Sequence, residues 1–276
     1  MPSCDAGIEA VRTRIGTAVR SAITGQAAPP RVRFRDDPDD AGLFGRGSVA
    51  WRLHADASTL VGGLRALLLQ TLHPLAMAGV AGHSDYRHDP WGRLHRTAEF
   101  LGTTIYAPTP AALRAVERVR AVHRQVVGTA PDGRPYAASD PHLLTFVHVT
   151  EVDSFLAAYR RYGAGGRLSE AEADRYVAEM AQVGELLGAE EVPTTAVGLR
   201  DWLEAVRPEL HVGAQCRDAV RFLLVPPMSP VARGPYGLIA AAAVGLLPGW
   251  ARRKLWLPLA PGAEPLLVRP AATGLL

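Results

Sequence analysis

Nine histidines, seven of them between His54 and His142, are the densest source of chemistry in this 276-residue sequence. An imidazole can hold a metal, move a proton near neutral pH or simply pack, and spacing separates these uses. No His-x-x-x-His pair occurs, so two rings on one helix face in the manner of a zinc protease are not expected. His83 and His88 flank a polar stretch with Asp85 and Asp89, and they read as solvated loop residues rather than ligands. His123 differs from these. On a helix it aligns with Val116, Val119, Val126 and Val127, which places a polar ring on an apolar stripe. Two readings stand for such a ring: a core histidine bonded to a backbone carbonyl, or a neutral imidazole that ligates a metal.

Arg93 and Thr97 are spaced i, i+4, with Arg96 at i+3 from Arg93, so guanidinium and hydroxyl share one helix face. By spacing alone that face reads as a solvated basic edge. His148 and Thr150, in FVHVTEV, interrupt an otherwise apolar helix start and read on their own as a packed, hydrogen-bonded pair. No local Ser-His-Asp or Cys-His signature stands out, and there is neither a Gly-rich dinucleotide turn nor a phosphate-cradling loop.

The elements that must position these residues are helical. Residues 26–47 are rich in Pro, Asp, Gly and Arg and form an irregular lead-in. From Ser48 onward, Leu60, Leu64, Leu67, Leu68, Leu72 and Leu75 recur at spacings of three and four, with Ser58 as the expected N-cap and Pro74 as a kink or stop. A helix from Trp91 to Tyr106 stops at Ala107-Pro108. Thr109-Pro110 restarts the chain as cap and first helical residue, and the new helix is expected to run to Val127 and end at Gly128. Thr129 to Asp140 reads as a loop. Further helices are expected over Pro141–Tyr162, from a Ser169/Glu172 capping box to Leu187 before Gly188, and over Leu199–Leu210 and Val212–Leu224. Strand signals are almost absent. The expectation is an all-α single domain of about nine or ten helices, with a lead-in at 1–44, a body at 45–260 and a tail at 261–276.

Composition narrows the classes. Hydrophobic residues make up 48% and charged residues 21%, too apolar for a disordered chain. The net charge of +3 is spread over scattered arginines, with Lys254 the only lysine, so no nucleic-acid stripe is expected. Two cysteines, Cys4 and Cys216, make neither a disulfide framework nor a zinc site, which suits a reducing, cytoplasmic setting. The N-terminus lacks the apolar run of a signal peptide. Tyr236 to Leu247 is too short to span a bilayer and reads as a core helix. Arg252-Arg253-Lys254 between Trp250 and Trp256 leaves peripheral membrane contact open.

The succession LLLQTLHPLAMAGVAGHSDYRHDPWGRLHRT, VRAVHRQVVG and YAASDPHLLTFVHVTE resembles the MpaB oxygenase family, whose catalytic domain is shared with the latex-clearing rubber oxygenases. The resemblance covers roughly residues 45–260. It rests on the order of Arg-x-x-x-Thr, a His followed by Val-Gly, and His-x-Thr. It implies a globin-like helical core enclosing haem b, and oxidative chemistry with dioxygen on a small apolar substrate. His123 then matches the proximal iron ligand, Arg93 and Thr97 match the motif over the haem pocket, and His148 and Thr150 match a further pair near the cofactor. Rubber oxygenases carry a lysine just before the motif's threonine, where this chain has Arg96. Their upstream glutamate base has no counterpart in the corresponding His73-Pro74-Leu75, which leaves His73 for a polar distal role. Both departures argue against polymer cleavage. Two other classes fit the sequence as well: a haem-binding sensor or carrier without turnover, and a cofactor-free helical protein that binds lipid or a partner.

Overall fold

The computed structural model describes residues 40–84, 90–228 and 230–257, with backbone alone at Pro90, Trp91, Arg93 and Val231. Eleven α-helices occur among the described residues: α1 (Val49–His54), α2 (Thr59–Gln70), α3 (Pro74–His83), α4 (Pro90–Tyr106), α5 (Thr109–His123), α6 (Pro141–Tyr162), α7 (Glu170–Leu187), α8 (Ala196–Val206), α9 (Ala214–Leu224), α10 (Pro230–Leu246) and α11 (Gly249–Lys254). A 3-10 turn, Arg207–Glu209, extends α8, and a short hairpin joins α5 to α6. The chain is thus an all-α single domain, with more and shorter helices than the periodicity alone suggests.

The 22-residue α6 organises the rest. Asp140 caps it by accepting the Leu143 N–H at 3.0 Å, and Pro141 occupies the first turn, where its missing donor costs nothing. Fourteen of its residues are buried, four of them polar, so it must be enclosed along most of its length. α2 lies along one side, and Gly62 permits the approach: a Cβ there would stand 2.7 Å from Phe155 Cδ1 and 3.0 Å from its Cα. Arg65, almost wholly buried in the same seam, pairs with Asp153 at 2.8 Å. It also donates to Ser154 Oγ at 2.6 Å and to the Leu246 carbonyl at 3.0 Å, which ties α2, α6 and α10 together. α1, α7 and α8 close a second side around Leu53, Phe155, Tyr176, Met180 and Leu199. A third core gathers Leu68, Leu69, Phe146, Leu210 and Trp250.

Several local expectations hold. Ser169 and Glu172 form a reciprocal capping box, and α7 ends at Gly188 with φ of 102°. Three others differ, each for a tertiary reason. Ser58 is helical in backbone and makes no cap bond; its amide instead donates to Asp56 Oδ1 at 2.8 Å. Thr109 is the first residue of α5, not its cap. Its amide and hydroxyl both donate to Asp40, at 2.8 and 2.7 Å. α5 stops at His123, four residues before Val127, and Gly128 belongs to a strand. β1 (Val127–Thr129) pairs antiparallel with β2 (Pro135–Ala137), so residues 129–140 are not simply a loop. Gly128 is needed there because a Cβ would fall 2.6 Å from the Tyr136 hydroxyl, whose ring also covers Gly79 of α3.

The apolar run from Tyr236 lies within α10, where Ile239, Ala240, Ala242 and Ala243 pack into the interior. Among the described residues no single helix is long and apolar enough to cross a membrane; α2 and α3 would pass only as a pair bent by 104°. Of the C-terminal basic cluster, Lys254 is turned inward to the Leu210 carbonyl at 2.8 Å, and Trp256 is exposed. Cys216 is buried against Thr71, while Cys4 and the tail at 261–276 lie outside the described residues.

Candidate active site

His123 closes the last turn of α5, half-buried, and its Nδ1 is enclosed with no hydrogen-bond partner. Burial lowers its pKa even though a helix C-terminus favours the cation, so the ring is held neutral. One turn earlier, Arg120 donates to the Leu186 carbonyl at 3.4 Å, which brings the end of α5 against the end of α7. A cavity of about 420 Å³ lies along this seam, lined by Arg120, Gln182, Glu185 and Leu186.

His148 reaches the same end of α7 from α6. Its ring lies against Gly184, where a Cβ would stand 3.0 Å from Cγ and Nδ1 and 3.1 Å from Cε1. The residue is buried, its Nε2 has no hydrogen-bond partner, and desolvation brings its pKa down to about 4. α7 therefore meets His148 of α6 at Gly184 and Arg120 of α5 at Leu186 in its final turns. Thr150 is not beside His148: two residues apart on a helix, the pair point to different sides. The Thr150 hydroxyl is spent on the Val147 carbonyl at 2.8 Å.

α4 packs against α5, to which the short Ala107-Pro108 connection joins it. Arg96 and Thr97 occupy exposed positions of α4, and each is engaged in contacts. The Arg93 side chain lies outside the described residues. Between them His95 turns a ring nitrogen, Nε2, into the interior without a partner. Sequence reasoning did not single out His95. Its signal was an imidazole inside the Arg-x-x-x-Thr segment itself.

His73 occupies a different place. It caps α3, its Nδ1 3.5 Å from the Ala76 N–H, and its ring rests on Phe146 with centroids 4.9 Å apart. Its Nε2 stands 3.5 Å from Glu209 Oε2, within ion-pair range but without hydrogen-bond geometry. His142 Nε2 meets the same carboxylate at 3.1 and 3.0 Å. Burial lowers the His73 pKa against the opposing pull of Glu209. Neither His142 nor Glu209 carries a local motif, and 67 residues separate them.

Two further titratable groups, both half-buried, lie at the α1–α6–α7 contact. His54 Nε2 lies 3.1 Å from the Tyr176 hydroxyl, and burial brings its pKa down to about 4. Glu151, one turn beyond His148, is pushed up to about 7 by desolvation.

In comparison with known families, residues 51–275 fit the model of the ER-bound oxygenase mpaB/B'/Rubber oxygenase catalytic domain. No curated protein and no solved structure matches the chain. The match covers most of the sequence and takes in α2 to α11 with every histidine described above. The chain therefore belongs to the mpaB and rubber oxygenase catalytic-domain family and carries an oxygenase domain.

Proposed function

We propose that this chain is a haem-b-dependent oxygenase acting with dioxygen on a small hydrophobic, unsaturated molecule, with His123 as the residue that would hold the iron. The observation that carries the reading is a set of orphaned imidazole nitrogens. His95 Nε2, His123 Nδ1 and His148 Nε2 are all buried without a partner, on helices packed in succession as α4, α5, α7 and α6. An unsatisfied buried polar atom costs about 1–3 kcal/mol, and most buried polar groups are paired. Three imidazoles left so at adjoining helices fit a protein whose interior completes itself with a ligand. The donor set suits haem: a neutral imidazole is the form that binds iron, and burial keeps His123 in that form.

Haem, when bound, supplies the redox-active iron through which dioxygen chemistry runs. The remaining roles belong to the chain. His148, held neutral against Gly184, provides a second imidazole that orients or hydrogen-bonds groups at the site. Arg93 and Thr97, one turn apart on α4, supply a guanidinium and a hydroxyl to carboxylates of the cofactor or to developing negative charge. Arg96 adds a second cation beside them. Thr150, bonded to its own helix, shapes the floor of α6 rather than donating into the site. His73, on another face of α6 from His148, takes no part in this arrangement in our reading. An apolar substrate fits an interior built chiefly of aliphatic side chains.

The test is absorption spectroscopy on the full chain after haem reconstitution, before and after dithionite. A Soret band is expected in the parent and its loss in His123→Ala, with recovery on adding free imidazole to that variant while its far-UV circular dichroism stays native. Oxygen uptake with alkene-bearing apolar compounds then follows in the parent only. Absence of a Soret band in the reconstituted parent, or an unchanged band in His123→Ala, overturns the assignment.

A further inference from the structure

From the geometry of His73, His142 and Glu209 we infer a second, non-haem site that binds one divalent transition metal ion. The two histidine nitrogens and the carboxylate lie within 4.8 Å of one another, contributed by the α3 cap, the first turn of α6 and the turn after α8. Three segments far apart in sequence thus converge through one tertiary contact.

The chemistry of the set points to a cation and not merely to an ion pair. Glu209 already has a partner in His142 at 3.0 Å. His73, 2% exposed, brings a second imidazole to the same carboxylate and leaves its Nε2 buried without a hydrogen-bond partner. Burying an imidazole nitrogen beside an occupied carboxylate has a physical reason if a positive ion sits between the three. Two imidazoles and one carboxylate form a borderline-soft donor set of the kind that holds zinc with three protein ligands. Phe146 packs on the His73 ring, and Trp202 lies 5.5 Å from the His142 ring, so aromatic walls fix both orientations.

His73, His142 and Glu209 all line a cavity of about 400 Å³, whose wall also includes Tyr136, Asp140 and Leu143, so an ion held by the three would have room for a further ligand. Three protein ligands and an open position describe a site that keeps an exchangeable water or takes a small oxygen ligand. The cavity lies on a different face of α6 from His148, so the site is separate from the proposed haem pocket and does not depend on it. Ligation through His73 Nε2 requires the ring proton on Nδ1. Loading therefore exchanges the 3.5 Å cap contact with the Ala76 amide for a metal bond, which gives a local reporter at the start of α3.

The experiment is calorimetric titration of Zn²⁺ into the untagged full chain after dialysis against a chelator, with the Ala76 amide followed by nuclear magnetic resonance. One equivalent is expected to bind and to shift that amide. His142→Ala and Glu209→Gln alter side chains that are 51% and 43% exposed, so both variants are expected to fold. Each should weaken Zn²⁺ binding by at least about 100-fold, since even outer-shell partners of a metal contribute 10–100-fold. His123→Ala should bind Zn²⁺ as the parent does, which separates this site from the haem reading. No saturable binding in the parent, or undiminished binding in the double variant His142→Ala/Glu209→Gln, overturns the assignment.

Discussion

Replacing Gly184 by alanine tests whether α7 and His148 are in the contact that shapes the candidate active site. In an open helical position this change stabilises, because glycine costs roughly 1 kcal/mol relative to alanine in a helix interior. Gly237, exposed on α10 with no atom within 4 Å of a built Cβ, is such a position. At Gly184 the new methyl would meet three atoms of the His148 ring at 3.0–3.1 Å, a few tenths of an ångström inside ordinary contact. Overpacking of that kind costs about 1–3 kcal/mol. Gly184→Ala should therefore lose about 1 kcal/mol net where Gly237→Ala gains about 1. For a domain of this size that is a fall in Tm of about 2–4 °C against a comparable rise. The assay is thermal unfolding of both variants, repeated in a His148→Ala background. With the ring gone, Gly184→Ala should turn stabilising, and the coupling between the two sites should be about 2 kcal/mol. Equal stabilisation by Gly184→Ala and Gly237→Ala in the parent background would refute the reasoning, because the ring would then not lie against α7.

Acid and base limbs of stability should separate by residue. His54 and His148 have pKa values depressed to about 4, so their neutral burial favours the fold above the ordinary histidine range, and that contribution is lost as pH falls from 6.5 to about 4. Glu151, raised to about 7, acts in the opposite sense: its contribution is complete below 4.5 and lost as pH rises through about 7. Urea midpoints should show Glu151→Gln more stable than the parent at pH 8, by on the order of 1–3 kcal/mol, and no more stable at pH 5; equal gains at both values would rule out the titration. Arg65→Met leaves Asp153 unpaired in the α2–α6 seam and should cost about 3–5 kcal/mol, while adding Asp153→Leu should recover most of it. A double variant as unstable as Arg65→Met would mean that the loss comes from packing and not from an orphaned carboxylate.

The helical class, most helix positions and the Ser169/Glu172 cap were legible because they depend on periodicity and on groups within four residues of each other. Where local rules failed, a distant residue had taken the group in question. Asp40 uses the Thr109 hydroxyl, and Tyr136 sits where Gly128 would otherwise have ended a helix. The same division runs through the sites. His123 stood out as a polar ring aligned with valines, although α5 ends at His123 and leaves Val126 and the exposed Val127 beyond the helix, and the family resemblance followed from motif order along the chain. The approach of His148 to the end of α7 depends on a glycine, Gly184, that no motif marks. The convergence of His73, His142 and Glu209 was invisible in one dimension, since spacing encodes only which residues share a face of one helix. Which faces meet is settled by the packing of α6 against its neighbours. That packing depends on side-chain volume and on buried pairs such as Arg65–Asp153, quantities defined only once distant segments are in contact.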